Sequence, residues 1–474
     1  MTSQPNSNHC SDNASENSLP SKNIRIEKDS LGEMSLPIDA LYGIQTQRAI
    51  TNFRISDLRM PSQFIVTLAL VKKLAAKVNM DLKLLDLNIG NSIIKACNQI
   101  INGNYREHFP VDVFQTGSGT STHMNINEVI ANLASTYLDI KISPTDHVNL
   151  GQSSNDVIPT AIHISTAIEC HKLLLPNLNI LASIIDEKAQ EFESIIKTGR
   201  THLMDALPIK VSQEFNAWSC QLRKGMDRIN STMPRVYMIA QGGTAVGTGV
   251  NAHPQFSKLF AAALRNETGL PFIPNSSLFE SLSSQDTMVE LSGQLKVIAV
   301  SLMKISNDLR WMNSGPLFGL GEITLKALQA GSSIMPGKVN PVIPESVTMV
   351  AAQVIGNDTT ITIAGQSGNF QLNAMLPVIA YNILQSISLL GNASLALAQN
   401  CLSEIKINKN KLEQNLSRNP ILITSLTPII GYAKAVEIVK SSYTQNRAII
   451  DVASEMTSID RTELEKLLDP KLLV

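Results

Sequence analysis

The stretch LSGQLKVIAVSLMKISNDL, residues 291–309, carries apolar side chains at Leu291, Leu295, Ile298, Leu302, Ile305 and Leu309. This alternation of four- and three-residue steps lines one face of an α-helix over several turns. Lys296, Lys304 and Asp308 fall off the stripe, so the opposite face can meet water. Such regular spacing, held for so long, is what helices running side by side in a bundle require.

Working outward, the segment from Phe64 to Met80 has the same character, as do ILASIIDEKAQEF at 180–192 and LPVIAYNILQSISLLG at 376–391. The last is apolar on most of its circumference. A helix of that kind must be buried in a large bundle or at a subunit interface, which predicts an oligomer. RIEKDSLGEMSLPIDALYG, residues 25–43, is broken by Gly and Pro and reads as an irregular entry. Beyond about residue 400 the units become shorter and more charged, and in SIDRTELEKLL (458–468) Asp460 and Glu463 can form a capping box. The reading is a mainly α fold with a disordered polar tail at 1–23 and an N-terminal domain at 24–150. A central helical bundle at 151–405 and a small C-terminal helical domain at 406–474 complete it.

Composition narrows the function classes. Hydrophobic residues make up 43% of the 474-residue chain but aromatics only 4%, which suits long aliphatic helices better than a β-sandwich. The net charge is −1, so nothing favours electrostatic capture of nucleic acid or an anionic membrane, and any anion site must be local. Five scattered cysteines, with no CxxC pair, argue against a disulfide framework or a zinc site and favour a reducing compartment, the cytoplasm. No apolar run approaches the length of a bilayer span, and the first residues lack the apolar core of a secretory signal.

Four polar clusters interrupt the helical pattern: TGSGTSTHMNINE (116–128), NLGQSSNDVIPT (149–160), KTGRTHLMDALP (197–208) and GSSIMPGKVNPVIPE (331–345). In the second, Ser153, Ser154 and Asn155 precede Pro159, the order expected where a helix begins and Pro occupies its first turn. Helix starts offer free N–H groups and partial positive charge that can hold a carboxylate, although such residues often only cap their own helices. His202 alone is weak, since lone histidines are mostly structural. QGGTAVGTG (241–249) lacks the GK[ST] ending of a phosphate loop and is better explained by a turn or close packing. The fourth cluster puts Ser332, Ser333, Lys338 and Asn340 on one loop. Its Ile334, Met335, Val339 and Val342 would be needlessly exposed unless that loop folds over something.

Together these motifs resemble the fumarase/aspartase superfamily, whose GSSxMPxKxNP signature matches residues 331–341. The resemblance runs from RIEKDSLGE at 25 to LLDP at 467–470. It includes SGT at 118, SSND at 153, GRTH at 199, QGGTAVGTG and SGNFQLN at 367, and it is closest to the class II fumarases. It implies a three-domain fold with a long-helix bundle, a homotetramer with each site built from three subunits, and reversible hydration of fumarate to (S)-malate without metal or cofactor.

Carried over by position, it makes Ser332 the base that takes the C3 proton, His202 the proton donor or acceptor acting through a water, and Glu345 the partner of that histidine. The carboxylates would be held by Ser118, Gly119, Thr120, Ser153, Ser154, Asn155, Thr201, Ser333, Lys338, Val339 and Asn340. The chemistry suits these residue types. Removing a proton beside a carboxylate piles a second negative charge onto that group, and preorganised donors in a dry site are worth about 3 to 4 kcal/mol each against it.

Two departures and two alternatives stand beside this reading. His123 occupies a position where the family usually has asparagine. Ser143, Pro144, Thr145 and Asp146 stand where the family has a second anion site, with Ser143 replacing a histidine or asparagine and Ile140 an arginine. NPVIPE (340–345) and VIGNDTT (354–360) resemble aspartate ammonia-lyases at least as closely, but that branch usually carries glutamine in place of His202. An inactive helical scaffold is the other alternative; Ser332, Lys338, Asn340 and His202 occurring together argue against it.

Overall fold

The computed structural model describes residues 23–474, so the polar tail, apart from Asn23, lies outside the described residues, as does Cys10. The described chain opens with a hairpin rather than an irregular entry: β1 (Ile24–Asp29) pairs antiparallel with β2 (Gly32–Pro37), Asp29 opposite Gly32. Gly32, at φ +114, turns the corner, and the Asp29 carboxylate accepts from the Leu31 N–H at 2.9 Å. The strand alternation is hard to read because Ile24 and Ile26 face outward.

Seven helices follow in the first half: α1 (Ile44–Asn52), α2 (Ser62–Asp81), α3 (Leu87–Ile101), α4 (Thr120–Ser135), α5 (Ser154–Glu169), α6 (Leu175–Glu191) and α7 (Val211–Val236). A second hairpin, β3 (Ile196–Thr201) with β4 (Met204–Lys210), sits between α6 and α7. Then come α8 (Phe256–Thr268), α9 (Leu278–Ser283), α10 (Asp286–Met312), α11 (Val342–Gly365) and α12 (Leu376–Leu397). Helices α7, α10, α11 and α12 pack lengthwise, with α5 and α6 against α12. The stripe from Leu291 to Leu309 is fully buried on α10, as its spacing requires.

Where α7 meets α10 the backbones come close. A Cβ on Gly225 would lie 2.1 Å from Cδ1 of Ile298, itself fully buried, so only glycine fits. Further out, α1 is fixed by a carboxylate from α4: Glu128 accepts from the N–H groups of Gly43, Gln45 and Thr46, the free donors at that helix start.

α12 is the helix read as apolar all round. Within a single protomer α5, α6, α10 and α11 already cover it, and only Asn392 is exposed along its length. It therefore does not by itself demand a partner chain. It also corrects the expectation that no apolar run approaches a bilayer span, because Leu376–Leu402 is long and apolar enough by composition. A core helix passes the same test when bundle packing replaces lipid.

Uncovered apolar side chains in the bundle lie instead on α10 and α11. Val297 and Val300 on α10, and Met349 and Ile363 on α11, are exposed. The one acidic side chain in the middle of α11, Asp358, is buried against Lys296, so beyond the first turn, which carries the half-buried Glu345, α11 exposes no charge of its own.

A second cluster, including Leu426, Ile438, Val452 and Leu464, forms the core of the C-terminal helices α13 (Lys409–Ser417), α14 (Thr427–Ile430), α15 (Tyr432–Gln445), α16 (Ile449–Met456) and α17 (Arg461–Leu467). At α17, Asp460 caps the helix by accepting from the Thr462 N–H at 2.9 Å. No return bond from Glu463 forms, so the cap is single rather than a box.

Gly225→Val should lower stability by about 2 kcal/mol through overpacking, seen as a fall in the thermal midpoint. An unchanged midpoint would mean that the α7–α10 contact has slack.

Candidate active site

The starts of α4 and α5 meet. Gly119, at φ +74, is the residue before α4, and a Cβ there would crowd Ile158 of α5 at 3.0 Å. Ser118 and Thr120 share a hydroxyl hydrogen bond of 2.8 Å beside it. Ser153 is the N-cap of α5 and forms a capping box with Asp156. Pro159 falls in the second turn of α5 rather than the first, because the helix begins earlier than the proline suggests. Two helix N-termini thus converge, each bringing free N–H groups and small hydroxyl side chains, which suits an anion.

Asp156 locks this corner. Its carboxylate accepts from the N–H groups of Ser153 (2.9 Å), Gly242 (2.9 Å) and Thr244 (3.0 Å), so the Gly-rich stretch serves as a turn wrapped around a buried acid. Burial pushes the Asp156 carboxyl above its ordinary range, while those N–H donors and the Lys72 ammonium oppose the rise. Asn155 spans to the same turn, donating to the Ala245 carbonyl at 2.7 Å. A cleft of ≈ 590 Å³ opens here, with Ser153, Ser154, Thr244, Thr145 and Asp146 in its wall. Ser143 caps the short turn Pro144–Val148 and donates its hydroxyl to Asp146 Oδ2 at 2.8 Å.

His202 stands elsewhere. It and Leu203 form the tip of the β3–β4 hairpin, both with positive φ (56 and 62), the geometry of a tight two-residue turn. The tip, with Thr201, is exposed. The root is held by buried ion pairs: Lys197 and Arg200 each meet Glu322 at 2.7 Å. Asn419 ties the returning strand to the C-terminal helices through the Ala206 carbonyl.

The Gly331–Pro341 loop leads into α11. A Cβ on Gly331 would lie 2.0 Å from the Lys338 carbonyl oxygen, so the loop closes only on glycine. Asn340 seals it by donating to the Gly331 carbonyl at 2.6 Å while accepting from Lys338 Nζ at 2.8 Å. Ser332 Oγ accepts from two backbone N–H groups, those of Ile334 (3.3 Å) and Met335 (3.1 Å). Lys338, Val339, Asn340 and Glu345 border a cleft of ≈ 630 Å³ beside the end of α10. Within the protomer this loop covers nothing: Ile334 is 84% exposed, and Ser333, Met335 and Val339 are exposed as well.

The expected site residues therefore fall into three groups. Among the described residues no hydrogen bond joins the helix-start corner, the His202 hairpin and the 331–341 loop. The two clefts share no lining residue. Glu345 and His202 make no ion pair within the protomer.

Sequence reasoning also passed over a buried polar network beneath the corner. Lys72, on α2, has no solvent exposure and bonds His123, Asn149 and Gln152. A lysine on an otherwise apolar helix face, in VTLALVKKLAA (66–76), was the available signal.

The class of this helical bundle, a lyase, follows from what the chain is similar to. The chain matches the family described as "Lyase" over residues 32–356 and that described as "Fumarase C C-terminus" over residues 422–474. It is 57% identical over 449 residues to "Fumarate hydratase class II 2" of Pseudomonas aeruginosa, covering 95% of this chain and 98% of the relative. It is 44% identical to the human "Fumarate hydratase, mitochondrial", covering 97% and 90%. A crystal structure of class II fumarase from Schistosoma mansoni superposes with a TM-score of 0.92 at 36% identity, covering 94% of this chain and 98% of that one. The chain belongs to the class II fumarate hydratase family.

Asp156→Asn turns an amide NH₂ toward backbone N–H groups that now share one carboxylate. The expected loss is about 2 to 3 kcal/mol in denaturant unfolding, since buried donors are left unpaired. Full stability would show that the Gly242–Thr244 turn holds itself.

Proposed function

We propose that this chain is a fumarate hydratase that interconverts (S)-malate with fumarate and water. The observation that carries the reading is the match to relatives of that name along nearly the whole chain, up to 57% identical. The site geometry supports the chemistry.

Ser332 takes the C3 proton of malate as an alkoxide. A serine hydroxyl is ordinarily a poor base, and two backbone N–H groups aimed at Ser332 Oγ stabilise the charged form, with Lys338 on the same loop adding to the effect. The electron pair left on C3 spreads into the neighbouring carboxylate as an aci-carboxylate dianion, which Lys338, Asn340 and loop N–H groups neutralise. The C2–O bond then breaks, and hydroxide leaves as water with a proton delivered by His202, paired with Glu345, through a bridging water. Ser118, Gly119, Thr120, Ser153, Ser154, Asn155, Thr201, Ser333 and Val339 hold the substrate carboxylates. Ser143–Asp146 is the segment least suited to an anion, because the Asp146 carboxylate already engages the Ser143 hydroxyl.

The three groups of residues complete one site only when copies of the chain associate, as a homotetramer. Supporting this, Gly293 on α10 and Gly356 on α11 face open space in mid-helix, where glycine is unfavourable by about 1 kcal/mol relative to alanine unless something approaches closely. The uncharged face of α11 points to the same use. The division into residues 24–150, 151–405 and 406–474 is part of this proposal, and the separate C-terminal core supports its last boundary. The cytoplasm is the proposed compartment, in keeping with unpaired Cys97, Cys170, Cys220 and Cys401.

Purified protein mixed with malate should develop the ultraviolet absorbance of the fumarate double bond. Signal from aspartate alone would make it an ammonia-lyase, and silence from both a scaffold. His202→Asn should cut turnover by about 10²- to 10⁴-fold with assembly intact; near-normal turnover would remove the acid role. Gly356→Leu should shift the particle to a smaller species in light scattering and abolish turnover, whereas an unchanged mass would place the interface elsewhere.

A further inference from the structure

Lys72, His123 and Ser154 form a continuous chain from the core to the cleft wall. Lys72 Nζ lies 2.6 Å from His123 Nε2, and His123 Nδ1 lies 2.8 Å from Ser154 Oγ. Lys72 is fully buried, His123 is 1% exposed, and Ser154, at 9%, borders the cleft. Neither Lys72 nor His123 belongs to the catalytic set assigned above.

The direction of each bond follows from what surrounds it. Asn149 uses its amide NH₂ on the Gln152 carbonyl, and Gln152 uses its own on the Val148 and Leu150 carbonyls. Both amide oxygens are therefore turned to Lys72 Nζ, at 2.9 and 3.1 Å. With His123 Nε2 they offer three acceptors, matching the three protons of an ammonium. Burial and the neighbouring Lys72 charge hold the His123 imidazolium well below its ordinary range, so the ring is neutral and has one N–H. Since Nε2 accepts from Lys72, that N–H is on Nδ1 and donates to Ser154 Oγ. The hydroxyl proton of Ser154 is then left to point into the cleft, where Ser154 has no other partner among the described residues.

We infer that Lys72 and His123 are positioning residues that set the hydrogen-bond polarity of Ser154, holding its hydroxyl as a donor to a dicarboxylate in the cleft. The inference rests on the reading that Ser154 faces a substrate carboxylate. Asparagine at position 123 could hold the same polarity through its amide nitrogen, which reaches about where Nδ1 does. A residue without a donor there could not, and Ser154 would be free to turn its lone pairs toward the anion.

The chain also has a built-in reversal. If Lys72 loses its proton, its amine can accept from His123 Nε2–H, Nδ1 then accepts from Ser154, and the hydroxyl presents only lone pairs to the cleft. Burial brings the Lys72 ammonium down to about 7, with the Asp156 carboxylate of α5 resisting. The other titratable groups around it are His123 of α4, Cys97 of α3, whose thiol burial pushes up to about 12, and Lys73 next in α2. Of these, Lys72 is the group that changes charge near neutrality.

Calorimetric binding of succinate, a four-carbon dicarboxylate that cannot be dehydrated, tests this without relying on turnover. In the full-length protein His123→Leu should weaken succinate about tenfold, His123→Asn should restore affinity to within about threefold, and Ser154→Ala should match His123→Leu. The wild type should bind more weakly as pH rises through about 7, and Ser154→Ala should lose that dependence. Wild-type affinity in a folded His123→Leu protein, or an unaltered pH dependence in Ser154→Ala, would overturn the inference. If His123→Leu does not fold, the pH dependence of the wild type against Ser154→Ala decides it. Failure of the hydratase reading would appear separately, as succinate binding without malate turnover.

Discussion

The packing of α10 against α7, α11 and α12 is the constraint on which the rest of the molecule depends. A long helix with one apolar stripe is stable only if that stripe is covered along its length, and here rigid neighbours cover it. Irregular backbone is thereby confined to the helix ends. The serine-rich corner and the 331–341 loop lie at helix starts, where backbone N–H groups remain free to meet charge, and the His202 tip lies on the hairpin between α6 and α7. Among the described residues of one chain no hydrogen bond joins these segments, and the clefts beside two of them share no lining residue.

The fold was largely legible because its strongest signal is local. The Leu291–Leu309 spacing needs no knowledge of any other part of the chain, and the α2, α6 and α12 helices were found in the same way with limits shifted by a few residues. The first hairpin was missed because its isoleucines face outward and Gly and Pro obscure the alternation. Pro159 misled by one turn: it lies in the second turn of α5 because the capping box at Ser153 starts that helix upstream. The apolar circumference of α12 was seen, but its cover comes from the same chain, and only the three-dimensional packing moves the unpartnered face to α10 and α11.

The candidate site was legible as residue types and motif order, not as an arrangement. Nothing in GRTH announces that His202 occupies a hairpin tip with positive φ, because that depends on β3 and β4 pairing at a distance from their own composition. His123 was visible as a departure from a pattern, yet its meaning lay in Lys72, a cation whose burial no local periodicity reports. Asp156, inside SSND, shows its role only where Gly242 and Thr244 supply their N–H groups. Buried polar contacts of this kind join residues far apart in sequence, and they are strong where every donor has an acceptor.

The uncharged outer face of α11 has a further consequence for how the molecule is made. In the homotetramer proposed above, a newly synthesised protomer would carry that face before it met another copy, so its fate would become a race between self-recognition and indiscriminate adhesion. Dilution would tilt that race one way and abundance the other, tying the lifetime of the proposed tetramer to how much of the chain is present.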